Sequence, residues 1–311
     1  MRAVGVTEFG GPEALHVVDV EPEPLGPGQV RIRVQAAAVA PTDTHARSGA
    51  YATRDPFKNP PWVPGMDVAG VVAEVGEGVD HLAVGDLAMG IVVPIGPHGA
   101  YREDKVLPGN SVVRAPRGTT AVEACTLPMN GLTARMALDR MALQPGQVLA
   151  VTGSAGAFGG FVVQLATADG LTVVADASEA DEELVRGLGA DVVVRRGDDV
   201  AARIRERYPD GVDGLADGAV QDELVLPAVK DGGVMATVRG YKGDGERGVR
   251  CLPNQVARAA EDREGLDRLR RQAEDGVLTL RVARVFPAEQ AADAHRLLEA
   301  GGVRGRIVLT F

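Results

Sequence analysis

The sequence predicts an α/β chain: a doubly wound parallel sheet joined to a β domain of short strands. Three observations carry that reading. The glycine-rich turn Gly153-Ser154-Ala155-Gly156-Ala157-Phe158-Gly159 directly follows an apolar run at 148–151. From about Ala121 onward, β-like and helix-like segments alternate, the rhythm of a parallel sheet with helices on both faces. Before Pro116 the chain shows short β-branched runs and turn residues with little helical periodicity.

In the first part, 17–20, 29–34, 68–75 and 86–93 read as strands, punctuated by Gly-Pro, Pro-Gly and Gly-Asp turns. The N-terminal residues Met1 to Val6 read at once as a strand. Residues 122–138 carry apolar positions at helical spacing, broken by Pro128. Strands are then expected at 148–151, 171–175, 191–194, 212–216 and 233–238, and helices at 161–168, 182–188, 200–208 and 223–229. After Tyr241 come a glycine-rich charged loop, an amphipathic helix at 262–274, a strand at 278–286, a helix at 288–300 and a strand at 306–311.

The 311 residues favour two domains. No apolar stretch approaches the ~20 residues of a membrane span, and the N-terminus lacks a secretory pattern. Cys125 and Cys251 are too few for a disulfide framework, so the cytoplasm is the expected compartment. A formal net charge of −10 disfavours nucleic acid as a partner. Neither cysteine has the basic neighbours of an activated thiolate, and both read as packing residues.

Strand, glycine turn and helix in that order place a pyrophosphate on a helix N-terminus, which makes Gly153, Ser154, Gly156, Ala157, Phe158 and Gly159 candidate cofactor ligands. The next strand ends in Asp176, where a dinucleotide fold carries an acidic ribose ligand. Gly240 and Tyr241 follow the last strand of the alternating run, at the carboxyl edge where such sheets bind ligands.

With these features in place, the chain resembles the medium-chain dehydrogenase/reductase superfamily, and within it the zinc-independent quinone oxidoreductase (zeta-crystallin-like) branch. The resemblance rests on residues 36–51 (AAAVAPTDTHARSGAY), on 63–84 (VPGMDVAGVVAEVGEGVDHLAV) with Gly85-Asp86, and on the glycine loop. Leu188-Gly189-Ala190-Asp191 and Gly305-Arg306-Ile307-Val308-Leu309 add to it. It implies a Rossmann sheet inserted into a GroES-like β domain, with residues 1–117 and 280–311 in the GroES-like domain and 118–279 in the Rossmann domain. It also implies a homodimer joined through an edge strand such as 249–252.

Many relatives in the wider superfamily hold a catalytic zinc with a Cys and a His where this chain has Ala40 and Met66. Alanine has no donor atom and a thioether suits Zn²⁺ poorly. His16, His45, His81, His98 and His295 share no ligand spacing, so no metal is expected. Without a Lewis acid, hydride donation to an activated acceptor is favoured over alcohol oxidation.

By the same resemblance, residues 40–51 face the nicotinamide. His45 stands where relatives often carry Tyr, and Ala40 where they commonly carry Asn. His45 reads either as a proton donor near neutral pH or as a loop histidine satisfied by Asp43 or water. Tyr51 either hydrogen-bonds a carbonyl or walls the pocket, and Asp43 orients the loop more readily than it transfers a proton. Thr133 would touch the nicotinamide end, whereas Asn130 reads equally as a helix cap. Phe57, Trp62 and Ile91 hint at a hydrophobic small-molecule acceptor, although any core or pocket wall could use them, and a basic patch around Arg47, Arg54 and Lys58 would favour a larger or carrier-bound substrate.

The two coenzymes leave opposite marks. Asp176 suits the ribose hydroxyls of NADH and would repel a 2′-phosphate, by about 4 kcal/mol for unit charges ~4 Å apart at an effective dielectric near 20. Arg195, with Arg196 and Ser178, suits the phosphate of NADPH, and the branch resemblance favours NADPH. The expected function is hydride transfer from NAD(P)H to a quinone or an α,β-unsaturated carbonyl. The alternatives are an enoyl reductase of a biosynthetic pathway and a nucleotide-binding protein without catalysis.

Overall fold

The computed structural model describes residues 1–52 and 59–311. They form two compact units: Met1–Met129, Ala257–Asp275 and Leu280–Phe311 make the first, and Asn130–Val256 with Gly276–Thr279 the second.

In the first unit β1 (Arg2–Gly5) and β2 (His16–Asp19) pair as an antiparallel ribbon. The long strand β3 (Gln29–Val39) buries alternate residues Val30, Ile32 and Val34, then buries every residue from Ala36 to Val39. That change from one-faced to two-faced burial takes the strand into the core. At Ala40 the backbone is still extended, and Pro41 opens the short helix α1 (Pro41–Arg47), where its missing N–H is not needed. Strands β4 (Asp67–Val75), β5 (Leu87–Ile91), β6 (Asp104–Pro108) and β7 (Val112–Arg114) complete an antiparallel framework around β3. Thr120 and Glu123 form a reciprocal capping box on α2 (Ala121–Ala124). Pro128 then starts α3 (Pro128–Met141), so the helical spacing over 122–138, broken at Pro128, belongs to two helices.

The second unit alternates β8 (Val148–Thr152), α4 (Ala157–Ala168), β9 (Thr172–Ala177), α5 (Glu182–Gly187), β10 (Val192–Arg195), α6 (Val200–Arg207), β11 (Val212–Asp217), β12 (Val229–Thr237) and β13 (Arg250–Pro253). The sheet order is β10-β9-β8-β11-β12-β13 with every pair parallel. This is the doubly wound order, and its switch point lies between β8 and β11. The helix expected over 223–229 is instead two 3₁₀ turns, Asp222–Leu224 and Leu226–Ala228. Pro227 lacks the N–H that a helix interior requires, and Asp222 sits at φ +50°.

The chain then returns to the first unit through α7 (Arg263–Glu274), β14 (Val282–Pro287), α8 (Ala291–Ala300) and β15 (Arg306–Thr310). Residues 118–129 and α7, expected in the Rossmann domain, group with the first unit: α2 packs on β3, β4 and β5, and α7 on β7. Strand β14 begins at Val282 rather than at 278. It runs parallel to β15, which adds antiparallel to β3, so the sheet order is β14-β15-β3-β4-β5-β7. Beneath this closure Arg306 Nη2 donates to Asp67 Oδ2 at 2.6 Å, and Asp67 Oδ1 accepts the Met129 N–H at 2.6 Å. Both charged side chains are buried.

Removing one partner of a buried pair leaves an uncompensated charge. Arg306→Met should therefore destabilise the protein by about 3–5 kcal/mol, read as a lower urea midpoint at unchanged slope. A midpoint equal to wild type would show that Asp67 does not depend on Arg306.

Candidate active site

The glycine loop is built by close backbone approach. Gly153 sits at φ +66°, and a Cβ there would lie 2.9 Å from the Gly218 carbonyl carbon. At Gly159 a Cβ would lie 2.3 Å from the Gly153 oxygen, so only glycine lets α4 start this close to the loop. Gly156 is the N-cap of α4, and the half-buried Ala157 and Phe158 occupy its first turn. Helix geometry gives first-turn amides no carbonyl four residues back, so this end of α4 fits a phosphate.

Asp176 lies 5% exposed on β9, and its Oδ1 accepts the Ser154 N–H at 3.0 Å. Burial raises its pKa, opposed by the Ser154 and Gly153 amides and by the charge of Arg196. The carboxylate read from sequence as a ribose ligand is thus engaged in shaping the loop. Ser178 Oγ donates to Asp181, and the exposed Arg195 lies 3.5 Å from the exposed Glu179.

Sequence reasoning passed over one group at this sheet edge. At the β8–β11 switch point the buried Asp217 accepts Thr152 Oγ1–H at 2.6 Å and the Asp222 N–H at 2.8 Å. Val220 and Asp222 are held at φ +57° and +50°, a conformation that costs non-glycine residues about 1–3 kcal/mol. The signal was present as an acid directly after the expected strand 212–216. Gly240 (φ +91°) is exposed at the same carboxyl edge. The half-buried Tyr241 packs against the core cluster of the sheet and accepts from Thr237 Oγ1 at 2.9 Å. On α3, Asn130 is inside the first turn because the helix starts at Pro128, which removes the reading of Asn130 as the cap. Thr133 follows one turn later and is buried.

In the first unit Asp43 is fully buried at the third position of α1. Its Oδ2 accepts the Ala40 N–H (2.8 Å) and the Tyr101 O–H (3.0 Å), and its Oδ1 accepts the Gly65 N–H (3.0 Å). Burial pushes its carboxyl up to about 6 despite these donors and Arg306. Asp43 ties α1 to the segment before β4 and is enclosed there. His45, half-buried, and Tyr51, exposed, meet edge-on with centroids 6.1 Å apart. Beside them a cleft is lined by Phe9, Ala46, Tyr51, Trp62, Val63 and Pro94, with the Phe9 and Trp62 ring centroids 4.2 Å apart. Of the two readings of Ile91, acceptor wall or core, the structure shows the core, at 1% exposure. Arg47, expected in a basic patch, is buried and paired with Glu299 at 2.6 Å. Arg54, Phe57 and Lys58 lie outside the described residues.

Two family models match: the alcohol dehydrogenase GroES-like domain over residues 26–174 and the zinc-binding dehydrogenase over 188–309. The chain is 31% identical to the chloroplastic NADPH-dependent alkenal/one oxidoreductase of Arabidopsis thaliana, across 99% of this chain and 79% of that one. Among solved structures it superposes on the quinone oxidoreductase of Coxiella burnetii with a TM-score of 0.87 (27% identity, 100% and 99% covered). It also superposes on an NAD-dependent alcohol dehydrogenase with a TM-score of 0.88 (31% identity, 100% of both covered). The chain belongs to the medium-chain dehydrogenase/reductase superfamily.

As a member of this superfamily it is an NAD(P)H-dependent oxidoreductase of the quinone oxidoreductase branch. Ala40 and Met66, which the resemblance sets where the superfamily's zinc ligands stand, are both buried. Among the described residues no group of three or more His, Cys, Asp or Glu could hold a metal ion. Burial raises the thiol pKa of Cys125 and Cys251, which suits packing rather than nucleophilic roles.

The folded pKa of Asp43 lies above its ordinary value. Its contribution to stability is therefore full below about pH 4 and is lost as pH rises through about 6. Against Asp43→Asn, which does not titrate, the relative stability of the wild type should fall by up to about 3 kcal/mol across that window. Denaturant titrations at stepped pH check this, and a pH-independent difference would refute it.

Proposed function

We propose that this oxidoreductase is zinc-independent and reduces a quinone or an α,β-unsaturated carbonyl, with NADPH preferred over NADH. The observation that carries the reaction class is the donor set at Ala40 and Met66, which provides no Lewis acid to stabilise an alkoxide. An acceptor that is already electron-poor needs only hydrogen bonds on its developing oxyanion or enolate. The nicotinamide, when bound, supplies the hydride. Gly156, Ala157 and Phe158 hold the pyrophosphate at the start of α4, Gly153, Ser154 and Gly159 shape the loop beneath it, and Asn130, Thr133, Gly240 and Tyr241 flank the coenzyme. The cleft of Phe9, Tyr51 and Trp62 takes a flat apolar acceptor and keeps water from it. His45 or Tyr51 delivers the proton that completes the reduction, and Asp43 keeps the helix that carries His45 in place.

The engagement of Asp176 by the Ser154 amide supports NADPH, because a carboxylate turned into the loop is not poised on a ribose. Arg195, only loosely paired with Glu179, is the natural ligand of the 2′-phosphate, with Ser178 beside it. The relatives divide on this point: the Arabidopsis thaliana oxidoreductase is NADPH-dependent and the alcohol dehydrogenase NAD-dependent. A cytoplasmic setting agrees with two free cysteines and with the absence, among the described residues, of a helix able to cross a membrane.

Oxidation of NADPH and NADH should be followed with a quinone and with an unsaturated aldehyde. NADPH should turn over with one of them, and Arg195→Ala should lower kcat/KM for NADPH about tenfold, or about 1.4 kcal/mol, while leaving NADH within about twofold. Equal losses for both coenzymes would remove Arg195 from the phosphate site. Strand β13 is the last strand of its sheet and has no partner on its outer side among the described residues, which suits pairing with a second copy. Light scattering should accordingly give the mass of a dimer, and a monomer would refute that pairing.

A further inference from the structure

A buried chain of hydrogen bonds crosses the first unit and is fixed in direction by chemistry. Arg47 Nη2 donates to Glu299 (2.6 Å), its Nε to the Gly10 carbonyl (3.1 Å), and its Nη1 lies 3.3 Å from His295 Nδ1. A guanidinium can only donate, so His295 Nδ1 must accept and carries no proton. A neutral His295 then bears its proton on Nε2, which lies 3.3 Å from Tyr101 Oη. Tyr101 is left with one proton to give, and Asp43 Oδ2 receives it at 3.0 Å. Arg47, Tyr101, Asp43 and His295 are all nearly or fully buried.

The surroundings favour this one state. Burial and the neighbouring Arg47 charge bring His295 down to about 3, so it stays neutral at physiological pH. Burial and the Asp43 charge hold the Tyr101 phenol well above its ordinary value, so it remains a donor. The other charges acting on the chain are Arg306 on Asp43, and Arg306 and Asp67 on Tyr101. These groups come from α1, α8, β4, β15 and the segment before β6.

We infer that Arg47, His295 and Tyr101 are positioning residues that lock Asp43, and with it the α1 helix bearing His45, into its working orientation. The inference rests on the proposed role of His45 in the acceptor site. Helix α1 has only seven residues, too few to be stable alone. Its first turn is held by Asp43 and its last by Arg47, and His45 lies between these two anchors. His295 joins them, so the orientation of His45 depends on a residue 250 positions later in the chain (295 − 45).

The test uses His295→Leu, which breaks the chain, and His295→Gln, whose amide oxygen accepts from Arg47 and whose NH₂ donates to Tyr101. Tyr101→Phe removes a single hydroxyl and keeps the ring volume. In ¹⁵N-labelled wild type, His295 should show the Nε2–H tautomer and should not titrate near neutral pH. In His295→Leu and Tyr101→Phe the His45 ring resonances should shift, and kcat should fall about tenfold or more with coenzyme KM changed less than about twofold. His295→Gln should return His45 and kcat to within about threefold of wild type. An Nδ1–H tautomer, or His45 resonances unmoved in a folded His295→Leu, would overturn the inference. If wild type turned over no acceptor, the proposed reaction would fail, while the resonances would still decide this point.

Discussion

The buried pair of Asp67 and Arg306 is the constraint on which the first unit depends. The two residues are 239 positions apart, and burying them costs several kcal/mol per ion unless each finds its partner. They meet only when β15 lies beside β3. That placement brings β14 and α8 with it, and α8 carries His295 to the back of α1. The chain that separates the partners includes the whole parallel sheet, so the β framework closes only after the last strand is made. Long-range closure of this kind slows folding more than it weakens the folded state.

The parallel sheet was legible because its signals are local. Apolar runs such as 148–151 and 171–175 are buried on both faces and read as strands without partners. The glycine loop is a short-range steric demand that any reader of Gly153 and Gly159 meets. What the sequence hid depends on tertiary contact. Helix α1 lacks periodicity because seven residues show too few turns, and its ends are held from elsewhere. The segment 223–229 has helical apolar spacing, but Pro227 and the positive φ of Asp222 break it into 3₁₀ turns. Helix α7 is amphipathic whichever body it covers, so its place on β7 was beyond reach of periodicity.

The candidate site was half legible for a related reason. Composition and position can mark an acid as important without saying which way its oxygens point. Asp43 and Asp176 both stood out, one in the catalytic segment and one at the ribose position. In the fold both turn inward and accept backbone amides. His295 carried no local signal at all, since its partners Arg47 and Tyr101 come from distant segments. Arg47 looked like a surface charge until its fork proved to be filled by Gly10, His295 and Glu299.

One device recurs where the functional segments leave the sheets. Asp43 gathers the amides of Ala40 and Gly65, Asp176 that of Ser154, and Asp217 that of Asp222. Each carboxylate satisfies an amide that a tight turn would otherwise leave unpaired, and each is buried enough to make that bond strong. For the glycine loop this has an electrostatic consequence. The Ser154 amide is already committed to Asp176, so it is withdrawn from any phosphate. On the proposed function, an anion is held further on, by the first turn of α4 at Ala157 and Phe158, where the helix dipole is positive. On the proposed coenzyme site, Asp176 sets where along the loop the pyrophosphate sits, whichever coenzyme carries it.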